Sequence, residues 1–279
     1  LAEDLDNETH ERGNNPMSNR NRLYFVIPTA LIAILALAVF ARAETTQKGN
    51  LRLTVSGKLA PKKLPRQGVA PISVSVGGQI ATTDETLPPT LKSLRVELNR
   101  HGRLDYKGLP TCNYPRIQPG SSSHALAGCR SSLVGEGTFS AAITLSGQEP
   151  YPTQGKLLVF NSVKGGKPVL YGHIYSAHPF ATSFVIVFKV SQLKKGTYGI
   201  VLDAPMPKAM KSWGRLTGLS MTLDRRFNYK GQSHSYISSG CPAPKGFPGT
   251  SFSLARTSFA FSGGTELSSV LLGDCRVRG

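Results

Sequence analysis

The sequence predicts an all-β fold, a disulfide-containing β-sandwich built from two pseudo-repeats, with at most one short helix. Three observations carry that reading. Apolar residues recur with period two in one short run after another, and Gly and Pro, 29 and 19 in 279 residues, punctuate the runs. The four cysteines all lie beyond residue 43. A stretch at Leu91–Gly108, LKSLRVELNRHGRLDYKG, is echoed at Leu216–Gly231 by LTGLSMTLDRRFNYKG.

The two echoes agree in phase as well as in letters. Leu94, Val96 and Leu98 in the first match Leu219, Met221 and Leu223 in the second, so both strands turn the same positions inward. Each copy is followed by a Cys and, after seven further residues, by a Gly-Thr strand entry. These are Cys129 with Gly137-Thr138-Phe139-Ser140, and Cys241 with Gly249-Thr250-Ser251-Phe252-Ser253. The pseudo-repeats span about 70–147 and 195–275. No long Gly/Ser-rich or Pro-rich linker parts them, which favours one body over two tandem sandwiches.

The chain opens on sixteen acidic, apolar-poor residues (1–16), read as an upstream extension foreign to the rest of the chain. Residues 17–43 read as an export signal or N-terminal membrane anchor. Arg20 and Arg22 precede an apolar run at 23–40, and Ala41-Arg42-Ala43 matches a cleavage site. Pro28 and the small residues favour cleavage, which would start the mature chain at Glu44; an uncleaved run of this length would just span a bilayer. Of 33 Lys and Arg and 16 Asp and Glu, four bases and five acids lie in 1–43, leaving 29 against 11 and a net charge of +18. That field draws the body towards anionic surfaces, whether a cell-wall polymer, an acidic glycan or lipid headgroups. Contact with a membrane is expected only through an uncleaved N-terminal segment, and no specific nucleic-acid motif is present.

Taken in order, Leu51, Leu53, Val55 and Leu59 form a half-buried strand. Ile72, Val74, Val76 and Ile80 form a second, with Gly77-Gly78 marking a bulge or a close backbone approach. Leu104–Tyr106 returns as a short strand after the first echo. Ser121–Ala127 is the one helix expected, capped by a serine and stopped at Gly128. Strands follow at Phe139–Leu145, Leu157–Phe160, Val169–Tyr175, Phe184–Val190 and Tyr198–Leu202. The run at 184–190 is apolar at both parities and so reads as a strand buried on both faces. The phase change between Phe252/Leu254 and Phe259/Phe261 predicts a bulge near Arg256-Thr257.

Four cysteines in an exported body read as two disulfides, for which three pairings exist. Nearest-neighbour closure, Cys112–Cys129 and Cys241–Cys275, keeps each bridge within one copy and is preferred. No C-x-x-C pair suggests zinc.

Catalytic signatures are weak. No G-x-S-x-G elbow occurs, Gly135-Glu136-Gly137 lacks the helix that a phosphate cradle needs, and the acids fall singly in turns or on outward positions. His173 and His178 are the weak candidates for a metal; with them the alternative function is an extracytoplasmic metal-dependent hydrolase. A subunit of a surface assembly is a third reading. No cofactor is expected. The ligand-binding candidates are Arg225, Arg226, Tyr229 and Lys230, with Tyr236 able to stack on a sugar, and Lys245 and Phe247 at the tip of a proline-stiffened loop after Cys241. Asp224 is expected to form an exposed ion pair with Arg225.

Two runs, NRHGRLDYKGLP at Asn99–Pro110 and SSGCPAPKGFPG at Ser238–Gly249, resemble an uncharacterised family of exported, cysteine-containing, β-rich bacterial proteins without an assigned activity. The resemblance implies an export signal, cysteines and a β-rich body, and transfers no site residues. The expected function is that of an exported, non-catalytic, envelope-associated binding or structural module for an anionic partner.

Overall fold

Alternation of apolar and polar residues pairs β2 (Leu51–Ala60) with β5 (Ser73–Thr82), burying Leu53, Val55, Val74 and Ile80 on one face. That pair belongs to one 13-stranded sheet in this computed structural model, which describes residues 42–278. The 1–16 extension and the apolar run at 23–40 lie outside the described residues. The first strand, β1 (Arg42–Lys48), pairs with β2 from Arg42↔Gly57 onward, so it runs across the expected cleavage point after Ala43.

Next come β3 (Lys63–Leu64), β4 (Ala70–Pro71), β6 (Leu91–Asn99) and β7 (Gly102–Leu104). Helix α1 (Ser122–Cys129) is followed by β8 (Leu133–Ile143), β9 (Tyr151–Lys164), β10 (Lys167–Ser176), β11 (Thr182–Gln192) and β12 (Tyr198–Pro205). A one-and-a-half-turn helix, α2 (Lys208–Trp213), leads into β13 (Gly214–Leu223). The chain ends with β14 (Arg226–Tyr229), β15 (Gln232–Ser235), β16 (Ile237–Ser239), β17 (Gly249–Phe261) and β18 (Glu266–Val277). All-β with two disulfides, as the sequence predicts, is the fold.

The order across the large sheet is β1-β2-β5-β13-β8-β9-β10-β11-β12-β6-β17-β18-β3. It exposes how the two copies are combined. The central strand of each has crossed into the other: β13 lies between β5 and β8, and β6 lies between β12 and β17. The registers match residue for residue. Leu219, Met221 and Leu223 face Gly78, Val76 and Val74; Leu94, Val96 and Leu98 face Ala204, Leu202 and Ile200. On the other side Leu219 faces Phe139 and Leu94 faces Phe259. The counterpart of Thr138-Phe139-Ser140 is therefore Ser258-Phe259-Ala260, not the Gly249–Ser253 entry that spacing from the cysteines suggests. Residues 249–253 are instead an extension of β17 that pairs with β18 alone.

The sheet curls so that its ends meet. Strand β18 runs beside β1 and β2, Thr46 Oγ1 donates to Ser268 O at 3.1 Å, and Leu271 fills the space that a Cβ on Gly57 would need. The two halves thereby face each other across one core, with Val55, Val76 and Met221 on one wall and Val96, Leu202 and Phe259 on the other. A second, smaller core covers the outside of β9–β11. Leu158, Phe160, Val169, Tyr171 and Val185 pack under Ile117, Ala125 and the Cys112–Cys129 bridge. That is why 184–190 is apolar at both parities: Ile186 and Phe188 point in, Val185 points out.

Helix α1 forms where the sequence places it, with Ser121 accepting from His124 N at 3.2 Å, and runs through Gly128 to Cys129. The bulge in β17 falls between Ser253 and Ala255, just before the expected Arg256-Thr257, because Ala255 already faces inward opposite Leu98. Both disulfides take the nearest-neighbour pairing, Cys112–Cys129 and Cys241–Cys275. Two such bridges belong to an oxidising, extracytoplasmic compartment. Among the described residues no helix is long and apolar enough to cross a membrane.

Candidate functional site

The second echo ends in a hairpin. Lys230 and Gly231 both have positive φ (51° and 74°) and join β14 to β15 as a two-residue turn between Tyr229 and Gln232. Alternation then sorts the side chains. Arg226 and Lys230 are exposed, while Phe227 and Tyr229 are half-buried against the His234 ring, at 5.5 and 6.0 Å between centroids. His234 Nδ1 lies 3.2 Å from Asp105 Oδ2, and Lys230 Nζ stands 5.5 Å above the Tyr229 ring.

Tyr236 corrects the expectation of a stacking platform. It is 1% exposed, and burial pushes its phenol pKa up. It sits where the chain passes from β15 to β16, between buried Ser235 and Ile237, and joins Ile237 in the main core. Arg225 is half-buried, its Nε lacks a hydrogen-bond partner, and no ion pair with Asp224 forms among the described residues.

Lys245 and Phe247 do sit at an exposed loop tip, Phe247 at 60% exposure. The loop is held from below by Arg66. Its Nη1 donates to Ala243 O at 2.7 Å and to Pro244 O, and its Nη2 donates to Phe247 O at 2.7 Å.

The histidines part company. His173 is fully buried under the α1 segment, its Nε2 3.0 Å from Gly120 O, and burial lowers its pKa. Its Nδ1 has no partner. His178 is exposed in the following turn. Among the described residues no group of three or more His, Cys, Asp or Glu is placed to hold a metal ion.

A different surface has the form of a site. The outer face of β2-β5-β13-β8-β9 is an open trough of about 750 Å³. Ladder registers lay its floor out in two rows. One runs Thr54, Gln79, Gly218, Ser140, Gln154; the next runs Ser56, Gly77, Ser220, Thr138, Lys156. Gly77 and Gly218 keep the middle of the floor low: a Cβ on Gly218 would come within 2.6 Å of Ser140 Oγ. Hydroxyls are tied to one another, Thr138 Oγ1 with Ser220 Oγ at 2.8 Å and Thr217 Oγ1 donating to Ser140 Oγ at 3.0 Å. The bulge between Leu216 and Gly218 puts Thr217 on this face.

Lys156 on β9 ends the second row, and around the floor the same face carries Arg52 and Lys58 on β2 and Arg215 on β13, against Glu136 on β8. The equivalent face of the other half is closed by its own charges. Where the trough has Gly77, Ser220 and Thr138, β12-β6-β17 carries Asp203, Arg95 and Ser258. Arg95 Nη1 bonds Asp203 Oδ2 at 2.9 Å, and Arg256 bonds Glu97 while lying 4.9 Å over the Tyr198 ring. The hydrogen bond from Arg256 holds the Glu97 carboxyl below the usual range, against the opposing cost of burial.

Sequence reading passed over the trough. Its signal is the alternation of small polar residues at outward positions, Thr54/Ser56, Gly77/Gln79, Thr138/Ser140 and Gly218/Ser220, which looks like any solvated strand face until the strands are placed side by side. Comparison with protein-family models, curated proteins and solved structures finds no match.

Proposed function

We propose that this is an exported, non-catalytic binding module of the cell envelope whose partner is anionic. The observation that carries the reading is the trough: an open polar surface on a disulfide-stapled body, with four cations and one carboxylate on its face. Its twin face spends its charges on internal ion pairs, whereas Lys156 lines the trough itself and Arg52, Lys58 and Arg215 stand on the same sheet face. Net charge supports the reading too, since 29 bases against 11 acids beyond residue 43 leave a net charge of +18. An apolar N-terminal segment, cleaved or retained, would deliver such a body to the envelope.

The test is retention of the purified protein on immobilised polyuronate, on poly(glycerol phosphate) and on anionic vesicles across a salt gradient. Retention on at least one at low salt, weakening steeply towards 0.5 M salt, is the expected result. Absence of salt-sensitive retention on all three overturns the reading.

A further inference from the structure

We infer that the trough on β2-β5-β13-β8-β9 binds an extended acidic glycan, a chain of sugars bearing carboxylates, laid across the strands. The inference rests on the anionic-partner reading above and names its ligand class and site. Three features argue for sugar over other anions.

The first is the chemistry of the floor. Its central side chains are hydroxyls and amides, Gln79, Ser140, Gln154, Ser220 and Thr138, each both donor and acceptor. A sugar hydroxyl is also both. A phosphate group offers acceptors almost exclusively and is best met by converging Arg, Lys and backbone N–H groups. Here the sheet ladder already uses the backbone N–H groups.

The second is preparation. Each floor hydroxyl that is tied to a neighbour has its rotor fixed and still keeps unused hydrogen-bonding capacity, so less entropy is lost on binding. Gly77 and Gly218 leave room for a ring to approach the sheet. A protein segment adding to this surface would need a free strand edge, and the trough is a face, not an edge.

The third is the placement of charge. Five strands about 4.8 Å apart give a floor about 19 Å wide, a span that suits several linked sugars lying across them. Arg52 and Lys58 stand on the first of those strands and Lys156 on the last. Cations thus meet carboxylates near both ends of a bound segment, while its hydroxyls meet the neutral middle. No aromatic side chain of the floor is outward, since Phe139 points into the core, so stacking contributes nothing and charge must.

Titration of the purified protein with polyuronate, a neutral glucan of matched length, polyphosphate and anionic vesicles, repeated with Lys156→Glu, Thr138→Trp and Lys245→Ala, tests the inference. Lys156 and Thr138 are exposed strand positions, so both variants are expected to keep the wild-type melting temperature within a few degrees. The expected result is polyuronate binding weakened at least tenfold by Lys156→Glu and by Thr138→Trp, unchanged by Lys245→Ala, with the glucan at least tenfold weaker than polyuronate. Polyuronate binding that survives both trough variants overturns the site and leaves the anionic-partner reading standing. Binding of polyphosphate or vesicles without polyuronate, or of the glucan as tightly as polyuronate, overturns the ligand class. Failure to bind any of the polyanions overturns both.

Discussion

Gly108 and Tyr229, one from each Tyr-Lys-Gly triplet, are packed against each other: a Cβ on Gly108 would fall 2.2 Å from Tyr229 Cδ2. The same three letters do different things in the two copies. In the first, Gly108 has φ 85° and Leu109 N donates to Tyr106 O at 3.3 Å; in the second, Lys230-Gly231 turns the β14–β15 hairpin. Gly108→Ala therefore meets two obstacles, a left-handed backbone and a ring already in place. The backbone term alone is about 1–3 kcal/mol. Denaturant unfolding should show at least that loss, and adding Tyr229→Ala should recover the steric part, giving a non-additive double-mutant cycle.

This contact also shows what sequence could and could not reveal. Period-two runs located nearly every long strand, and the phase match of Leu94/Val96/Leu98 with Leu219/Met221/Leu223 exposed the duplication. The crossing of β6 and β13 between copies was invisible, because period two fixes which face a residue takes and says nothing about which strand lies alongside. Cysteine spacing then misaligned Phe139 with the 249–253 segment, since the loops before β8 and β17 differ and the pairing partner, not the distance from a Cys, defines the counterpart. The trough was hidden for the same reason. Ser220 and Thr138 are 82 residues apart and become one hydrogen-bonded pair only through that crossing. By contrast, Arg225–Lys230 is conspicuous because charge and aromatics are adjacent there in sequence, yet alternation half-buries the aromatics of that run and leaves Arg226 and Lys230 outside.

The two disulfides should differ in what their loss loosens. They close loops with sequence separations of 17 and 34, worth about 3 and about 4 kcal/mol in the chain-entropy account. Replacing Cys112 and Cys129 by Ser should open the outer core locally, with faster amide exchange in α1 and around buried His173, which that segment covers. Replacing Cys241 and Cys275 should lower global stability more, because Cys275 lies in β18, the strand that meets the β1–β2 end of the curled sheet. Hydrogen exchange with urea unfolding of both pairs distinguishes local from global loss; identical exchange patterns would contradict this assignment.

Glu97 sets a pH dependence. Its side chain is 5% exposed, Arg256 and Arg95 bond it, and its pKa is lowered on folding. A carboxyl depressed on folding contributes stability that is complete above its unfolded pKa, about 4.3, and disappears as pH falls through the lower folded value. Both arginines are more than 40% exposed, so screening limits the effect; Glu97→Gln should cost about 1–2 kcal/mol at pH 7. The gap between wild type and variant should narrow as pH drops below about 4. Asp84, held down to about 2 by hydrogen bonds from Thr86 and Asn50, titrates in both proteins and drops out of the difference. Urea midpoints across pH 2–7 measure it, and a constant gap would exclude Glu97 as the titrating group.

Arg66 has a role that charge alone would not suggest. Its guanidinium donates to three carbonyls of the 243–247 segment, so it fixes a loop that three prolines already stiffen. A fork of planar donors makes that possible, and lysine, a point charge on a flexible stem, cannot reproduce it. Arg66→Lys should therefore resemble Arg66→Ala. Both are expected to speed proteolytic cleavage near Lys245 several-fold with little change in global stability, since two of the three carbonyls released, those of Pro244 and Phe247, lie at the exposed tip where water can bond them. If Arg66→Lys protects the loop as well as wild type does, positive charge near the carbonyls suffices and the geometry of the fork does not matter.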